Sequence, residues 1–209
     1  MEKNLSKREA NKAQKKEAFL RAAEALFSEK GFENTSIEEV VKGAGLTKRT
    51  LYQYFQNKED LYYAVALKGA KLLYETAMDA MRRGENTREK LRLTNLAHLN
   101  FYRAHQNLFR ILNYTPPSKE TSEASPHYKQ VQMLDAQRMM VLGSLIADAS
   151  DGSINPELDR RKAVLFGIFS AFGLLYTFAF TDKSIWAALS LEEDDFLRFG
   201  FELLADALK

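Results

Sequence analysis

The sequence predicts an all-α protein of about nine helices. Apolar residues recur at three- and four-residue steps along most of the chain, and no alternating run long enough for a strand persists. Glycines and prolines fall between the periodic runs, where helices would stop and start. With 209 residues, 45% hydrophobic and 28% charged, the chain can bury one large core or two smaller ones. It has no cysteine, which excludes a disulfide framework and cysteine-based metal or redox chemistry. The segment Met1 to Glu9 is too polar for a secretory signal, so a cytoplasmic location is expected.

The first helix carries Phe19, Ala22, Ala23, Leu26 and Phe27 on one stripe. Ser6 and Glu9 have capping-box spacing and would start it early, so that Lys12, Lys15 and Lys16 project as a basic extension. Gly31 suits the left-handed position after the helix, with Phe32 folding back onto the last turn. A second helix follows, capped by Thr35 with Glu38 or by Ser36 with Glu39, its apolar face being Ile37, Val40, Val41 and Ala44. Gly45 supplies the positive φ of a tight turn. Thr47 then caps a third helix over 47–55, held inward by Leu51 and Phe55. Asn57 caps a fourth helix, about 58–81, with Glu59 and Asp60 in its first turn.

Two short helices joined by a glycine turn, the second rich in cationic, hydroxyl and phenolic side chains, form a helix-turn-helix suited to the major groove of DNA. With Leu51 and Phe55 inward, Arg49, Thr50, Tyr52 and Gln53 lie on or near the outward side. Arg49 has the fork that reads a guanine edge, and Gln53 the amide that reads adenine. Thr47, Tyr52 and Tyr54 offer hydroxyls to phosphates, and Lys58 adds a cation. Charge agrees with this placement. Residues 1–60 hold 12 Lys and Arg against 10 Asp and Glu, while residues 61–209 hold 18 of each. The excess gathers in Lys3, Lys7, Arg8, Lys12, Lys15 and Lys16, which reads either as an arm for phosphates or as a solvated terminus.

The run from Gly31 through Thr35-Ser-Ile-Glu-Glu-Val-Val-Lys-Gly-Ala-Gly-Leu-Thr-Lys-Arg-Thr-Leu-Tyr-Gln-Tyr-Phe55 to Asn57-Lys-Glu-Asp-Leu61 resembles the N-terminal signature of tetracycline-repressor-type (TetR family) transcription regulators. The resemblance covers roughly residues 12–72, and residues 73–209 match only in length and helical character. It implies an all-helical homodimer, with a three-helix DNA-binding head over 12–72 and a ligand-binding and dimerisation body over 73–209. Such proteins usually repress, and release a palindromic operator when a small molecule binds. Carried over by position, Ser36, Thr47, Lys48, Arg49, Thr50, Tyr52, Tyr54 and Lys58 fall where family members contact DNA. Arg49 departs from the small residue frequent there, so its base preference is its own.

In the body, Arg82 to Thr87 is a break before a long helix to about His105, with a short helix over about 107–113. Tyr114 to Pro126 holds three of the four prolines and reads as a loop. A helix of about 127–149 ends at Asp151-Gly-Ser153, Pro156 starts the next, which runs to about Thr181, and a last one spans about 191–208. Residues 163–181 are uncharged and long enough to cross a bilayer. Gly167, Ser170, Ala171 and Gly173, with polar Tyr176 and Thr177, dilute that character, so a doubly buried helix is expected instead of a membrane span. The resemblance places it at a dimer interface, with helices about 156–181 and 191–208 forming a four-helix contact between subunits.

Aromatic groups suggest an effector pocket: Phe101, Tyr102, Phe109 and Tyr114 in the middle of the chain, and Phe166, Phe169, Phe172 and Tyr176 later. They point to a hydrophobic or aromatic effector. His98 and His105 share a helix face and His127 is remote, too few ligands for a metal, and no metal or other cofactor is expected. No nucleophile elbow or zinc-protease motif is present, so the chain is not expected to be an enzyme. Glu192 to Asp195 complements a helix dipole. The resulting expectation is a ligand-responsive regulator of a double-stranded DNA operator, a repressor first and an activator or dual regulator second. A helical enzyme or carrier for an apolar substrate is the reading from another class.

Overall fold

The computed structural model describes residues 7–117 and 125–209, and among them it contains ten helices and no strand. The expected cap at Ser6, the cation at Lys3 and most of the Tyr114–Pro126 loop lie outside the described residues. The helices are α1 (Lys7–Lys30), α2 (Ile37–Gly43), α3 (Lys48–Leu51), α4 (Lys58–Arg82), α5 (Thr87–Ala104), α6 (Gln106–Leu112), α7 (Pro126–Asp148), α8 (Arg160–Phe180), α9 (Lys183–Ala188) and α10 (Glu193–Asp206). They group into two compact units, one of residues 1–70 and 114–133, the other of 71–113 and 134–209. Helices α4 and α7 each contribute residues to both units.

The first unit is built on an aromatic core. Phe19, Phe27, Phe32, Leu51, Phe55 and Tyr62 are all at most 5% exposed, each worth about 1.5–3 kcal/mol of burial. Phe27 and Tyr62 meet edge to face at 5.1 Å, as do Phe32 and Tyr62 at 5.3 Å. Gly31 and Gly45 adopt φ of 79° and 65°, as a helix stop and a tight turn require. Of the two capping boxes, the chain uses Ser36 with Glu39: the Glu39 amide donates to Ser36 Oγ at 3.2 Å and the Ser36 amide to Glu39 Oε2 at 2.9 Å. Thr35 instead donates its hydroxyl to the carbonyls of Gly31 and Leu26 and is buried.

The second unit packs Leu91, Leu145, Ile154, Val164 and Leu208 into one cluster. Asp151 anchors the start of α5, accepting from the Thr87 amide at 2.6 Å and the Thr87 hydroxyl at 2.9 Å. Two boundaries differ from expectation, and one helix is added. The third helix closes at Leu51, and residues 52–54 continue it only as turns. Helix α8 starts at Arg160, not at Pro156, because Asp159 caps it through the Lys162 amide at 3.0 Å. The Asn155 side chain meanwhile accepts from the Glu157 amide at 2.9 Å and turns the chain around the proline. Helix α9 is an addition the sequence pattern did not reveal.

Candidate nucleic-acid interface and ligand cavity

The helix-turn-helix presents its polar residues on a scaffold of caps. Thr47 Oγ1 accepts from the Thr50 amide at 3.2 Å and shares a hydrogen bond of 2.9 Å with the Thr50 hydroxyl. Leu51 and Phe55, 0% and 1% exposed, pin the segment from below. Phe55 meets Phe19 edge to face at 6.4 Å, and Tyr54 lies tilted against Phe19 at 6.1 Å. Tyr54 is therefore half-buried, with its ring serving the core.

The nine residues expected at DNA divide by what they already touch. Arg49 and Gln53 are exposed and have no intramolecular side-chain partner among the described residues, and Tyr52 is 53% exposed. These three side chains are available to a partner. Ser36, Thr47 and Thr50 are occupied in capping, which fixes their hydroxyls at the ends of α2 and α3. Lys48 forms an exposed ion pair with Glu38, a contact worth little and readily exchanged for a phosphate.

Lys58 departs from expectation. Its ammonium donates to the carbonyls of Phe32 at 2.7 Å and Thr35 at 3.0 Å, and sits 4.2 Å from the centre of the Phe32 ring. These carbonyls lie in the linker between α1 and α2, where no helix satisfies them. Lys58 is thus committed to holding that linker on the first turn of α4. Asp60, two residues on, is 1% exposed. Its carboxylate accepts from the Gln56 amide at 3.0 Å, Ser125 Oγ at 2.6 Å and His127 Nδ1 at 2.7 Å. Burial alone would raise its pKa, but those donors outweigh burial and hold it at about 2. Sequence reasoning placed Asp60 only as a helix-dipole residue, because its side-chain partners Ser125 and His127 lie more than 60 positions away. The basic N-terminal stretch is helical from Lys7, with residues 7–14 exposed along α1.

The second unit holds a cavity of about 270 Å³. Its walls come from α4 (Leu73, Met78, Met81), α7 (Leu142, Leu145) and α8 (Phe172), and its polar groups include Thr94 and His98 from α5 and the Asp135–Arg138 pair from α7. Of the eight aromatic residues expected to line a pocket, Phe172 alone lines this one. Phe101, Tyr102 and Phe109 are buried core, with Tyr102 donating to Glu193 at 2.7 Å. Tyr114 belongs to the first unit and donates to Glu33 at 3.3 Å. Phe166, Phe169 and Tyr176 are 61%, 62% and 50% exposed on α8. Phe180, Phe199 and Leu203, on α8 and α10, are also exposed, at 45%, 60% and 57%. Helix α8 has the length and apolarity to cross a bilayer, with a mean hydropathy of 2.0.

Comparison with known proteins agrees with this geometry. Residues 19–65 match the family described as bacterial regulatory proteins, tetR family. The HTH-type transcriptional regulator RutR of Escherichia coli (strain K12) is 27% identical over 165 residues, covering 79% of this chain and 66% of RutR. The chain thus spans just under two thirds of that relative's length. The HTH-type transcriptional repressor KstR2 of Mycolicibacterium smegmatis is 24% identical over 148 residues, covering 70% of this chain and 71% of KstR2. Among solved structures, the transcriptional regulator FadR of Bacillus subtilis in complex with stearoyl-CoA superposes with a TM-score of 0.69 at 18% identity. That likeness covers 92% of this chain and 99% of the other, and it shows a shared fold.

Proposed function

This chain belongs, by its N-terminal domain, to the tetR family of bacterial regulatory proteins, and from that premise we propose that it is a ligand-responsive DNA-binding transcription regulator acting as a repressor. The observation that carries the reading is the contrast on the α2–α3 segment: Arg49, Tyr52 and Gln53 are exposed and unpaired on a segment whose caps and core are fully engaged. Arg49 and Gln53 read base edges, and Tyr52 with the N-terminal hydroxyls of α2 and α3 holds the phosphates.

Two copies associate through the exposed aromatic faces of α8 and α10 and place their α3 segments in successive major grooves, roughly 34–36 Å apart on a palindromic site. The effector is a small, largely apolar molecule held in the cavity. Helix α4 supplies cavity residues such as Leu73 and Met81, and its first turn holds the Lys58 and Asp60 bonds. Effector and operator thus select different states of one equilibrium, and each must weaken the other to the same degree.

The test is a gel shift with duplex from beside the protein's own gene, set against random duplex. Arg49→Ala should cost roughly 1–3 kcal/mol on the specific site and little on random DNA. Equal losses on both would remove Arg49 from base reading, and no specific complex with wild-type protein would remove the regulator reading itself.

A further inference from the structure

The cavity has largely apolar walls, and its polar side chains are Tyr74 from α4, Thr94, Asn95 and His98 from α5, and Asp135 and Arg138 from α7. Thr94 and His98 are four residues apart on α5, on one helix face, and both line it. His98 Nδ1 lies 2.7 Å from the Thr94 carbonyl oxygen. A carbonyl only accepts, so Nδ1 carries the hydrogen and the other ring nitrogen, Nε2, is an acceptor. The ring is held in that orientation by Phe172, which it meets edge to face at 4.9 Å. Burial keeps it neutral: desolvation, opposed by the Thr94 bond and aided by the nearby Arg138 cation, pulls its pKa down to about 4. Beside it, the Thr94 hydroxyl is buried without a hydrogen-bond partner among the described residues.

A buried hydroxyl without a partner is costly unless a ligand supplies one. An acceptor nitrogen and a hydroxyl on adjacent turns of one helix face suit a single oxygen that donates one hydrogen bond and accepts another. A carboxylate cannot donate to Nε2, and an alkyl group can do neither. The charged residues at the cavity, Asp135 and Arg138, pair with each other at 3.3 Å and leave no net charge to draw an ion. A cavity of about 270 Å³ lies just under the roughly 300–1,000 Å³ of sites for drug-sized ligands.

We propose that the effector is an uncharged, compact apolar molecule bearing a hydroxyl group, whose oxygen donates to His98 Nε2 and accepts from Thr94 Oγ1. This rests on the reading of the cavity as the effector site. Full-length protein is titrated calorimetrically at pH 7.5 with three matched probes: 1-naphthol, 1-methylnaphthalene and 1-naphthoate. The expected order places naphthol about 10-fold tighter than either of the others, the worth of one or two neutral hydrogen bonds. Thr94→Val, nearly isosteric, and His98→Leu should each erase that advantage and leave methylnaphthalene affinity unchanged, with helical circular dichroism verifying that both variants fold. The proposal is overturned if naphthoate binds tightest, if the naphthol preference survives both substitutions, or if none of the three probes binds. A gel shift with added naphthol is scored separately. Binding in the expected order without specific DNA binding defeats the regulator reading and supports the cavity assignment, whereas DNA binding without the expected order does the reverse.

Discussion

Replacing Asp60 with alanine tests how the first turn of α4 is held in the first unit. The carboxylate is 1% exposed and accepts three hydrogen bonds, from the Gln56 amide, Ser125 and His127. Its folded pKa of about 2 lies below the ordinary 3.8, so the charged form is stabilised in the fold by about 2–3 kcal/mol. The sign follows from the depressed folded value: this stability is fully present above pH 3.8 and is lost as pH falls towards 2. Truncation also strands buried donors on Ser125 and His127, so the total loss at pH 7 is about 3 kcal/mol. For a chain of this length that is a fall of about 6–12 °C in melting temperature. The assay is urea denaturation followed by circular dichroism at pH 7 and again near pH 3. The gap between Asp60→Ala and wild type should narrow at the lower pH, as wild type loses the same interactions by protonation. A variant within 1 kcal/mol of wild type at pH 7, or a gap independent of pH, would refute the reasoning.

Lys58→Met should weaken DNA binding on every sequence through loss of about 2–3 kcal/mol of stability, because it removes two charge-assisted hydrogen bonds, to the Phe32 and Thr35 carbonyls. The salt dependence of binding should stay as in wild type; a slope reduced by about one would restore Lys58 to the phosphates. Phe169→Asp, at an exposed α8 position, should leave the melting profile of dilute protein nearly unchanged while sedimentation shows monomers. A dimer that persists would move the interface off this face. Wild-type stability should fall as pH drops from 6.5 to 4, because His98, held at about 4 in the fold, takes up its proton earlier when unfolded. In His98→Leu that part of the acid limb should vanish, as a pH series of urea midpoints will show.

The helical class, the order of the elements and the helix-turn-helix were legible because they rest on short-range signals. A capping serine, a glycine stop and a three- or four-residue apolar step act within a turn or two of the residues that display them. Even so, two overlapping capping boxes were offered at 35–39, and only tertiary contact decided between them, when Thr35 found carbonyls in α1 and the turn after it. Pro156 looked like a helix start, yet Asn155 and Asp159 divided the work around it and moved the start to Arg160. The cavity was the least legible feature. Aromatic count drew attention to Phe166 and Phe169, which are exposed, whereas the aromatic residues of the lining are Tyr74 and Phe172 among aliphatic, methionine and polar neighbours. The sequence reading paired His98 with His105 on one helix face and passed over Thr94, because periodicity could not say whether that face met solvent or a void.

Cations near a nucleic-acid surface show the same limit more sharply. Lys48, Arg49 and Lys58 are alike in charge, two of them within α3 and one at the start of α4. The structure separates them by partner. Lys48 is held by an exposed carboxylate, which a phosphate can replace at small cost. Lys58 is held by the Phe32 and Thr35 carbonyls, so moving it towards DNA would take a charged donor from the linker and leave the Phe32 carbonyl only the Thr35 amide at 3.3 Å. Arg49 is exposed and unpaired, and its guanidinium is the one of the three able to grip a base edge with two parallel bonds. In the proposed reading, specificity falls to Arg49, which the first unit leaves exposed, and rigidity falls to Lys58. A charge pattern alone would assign both to the same phosphate backbone.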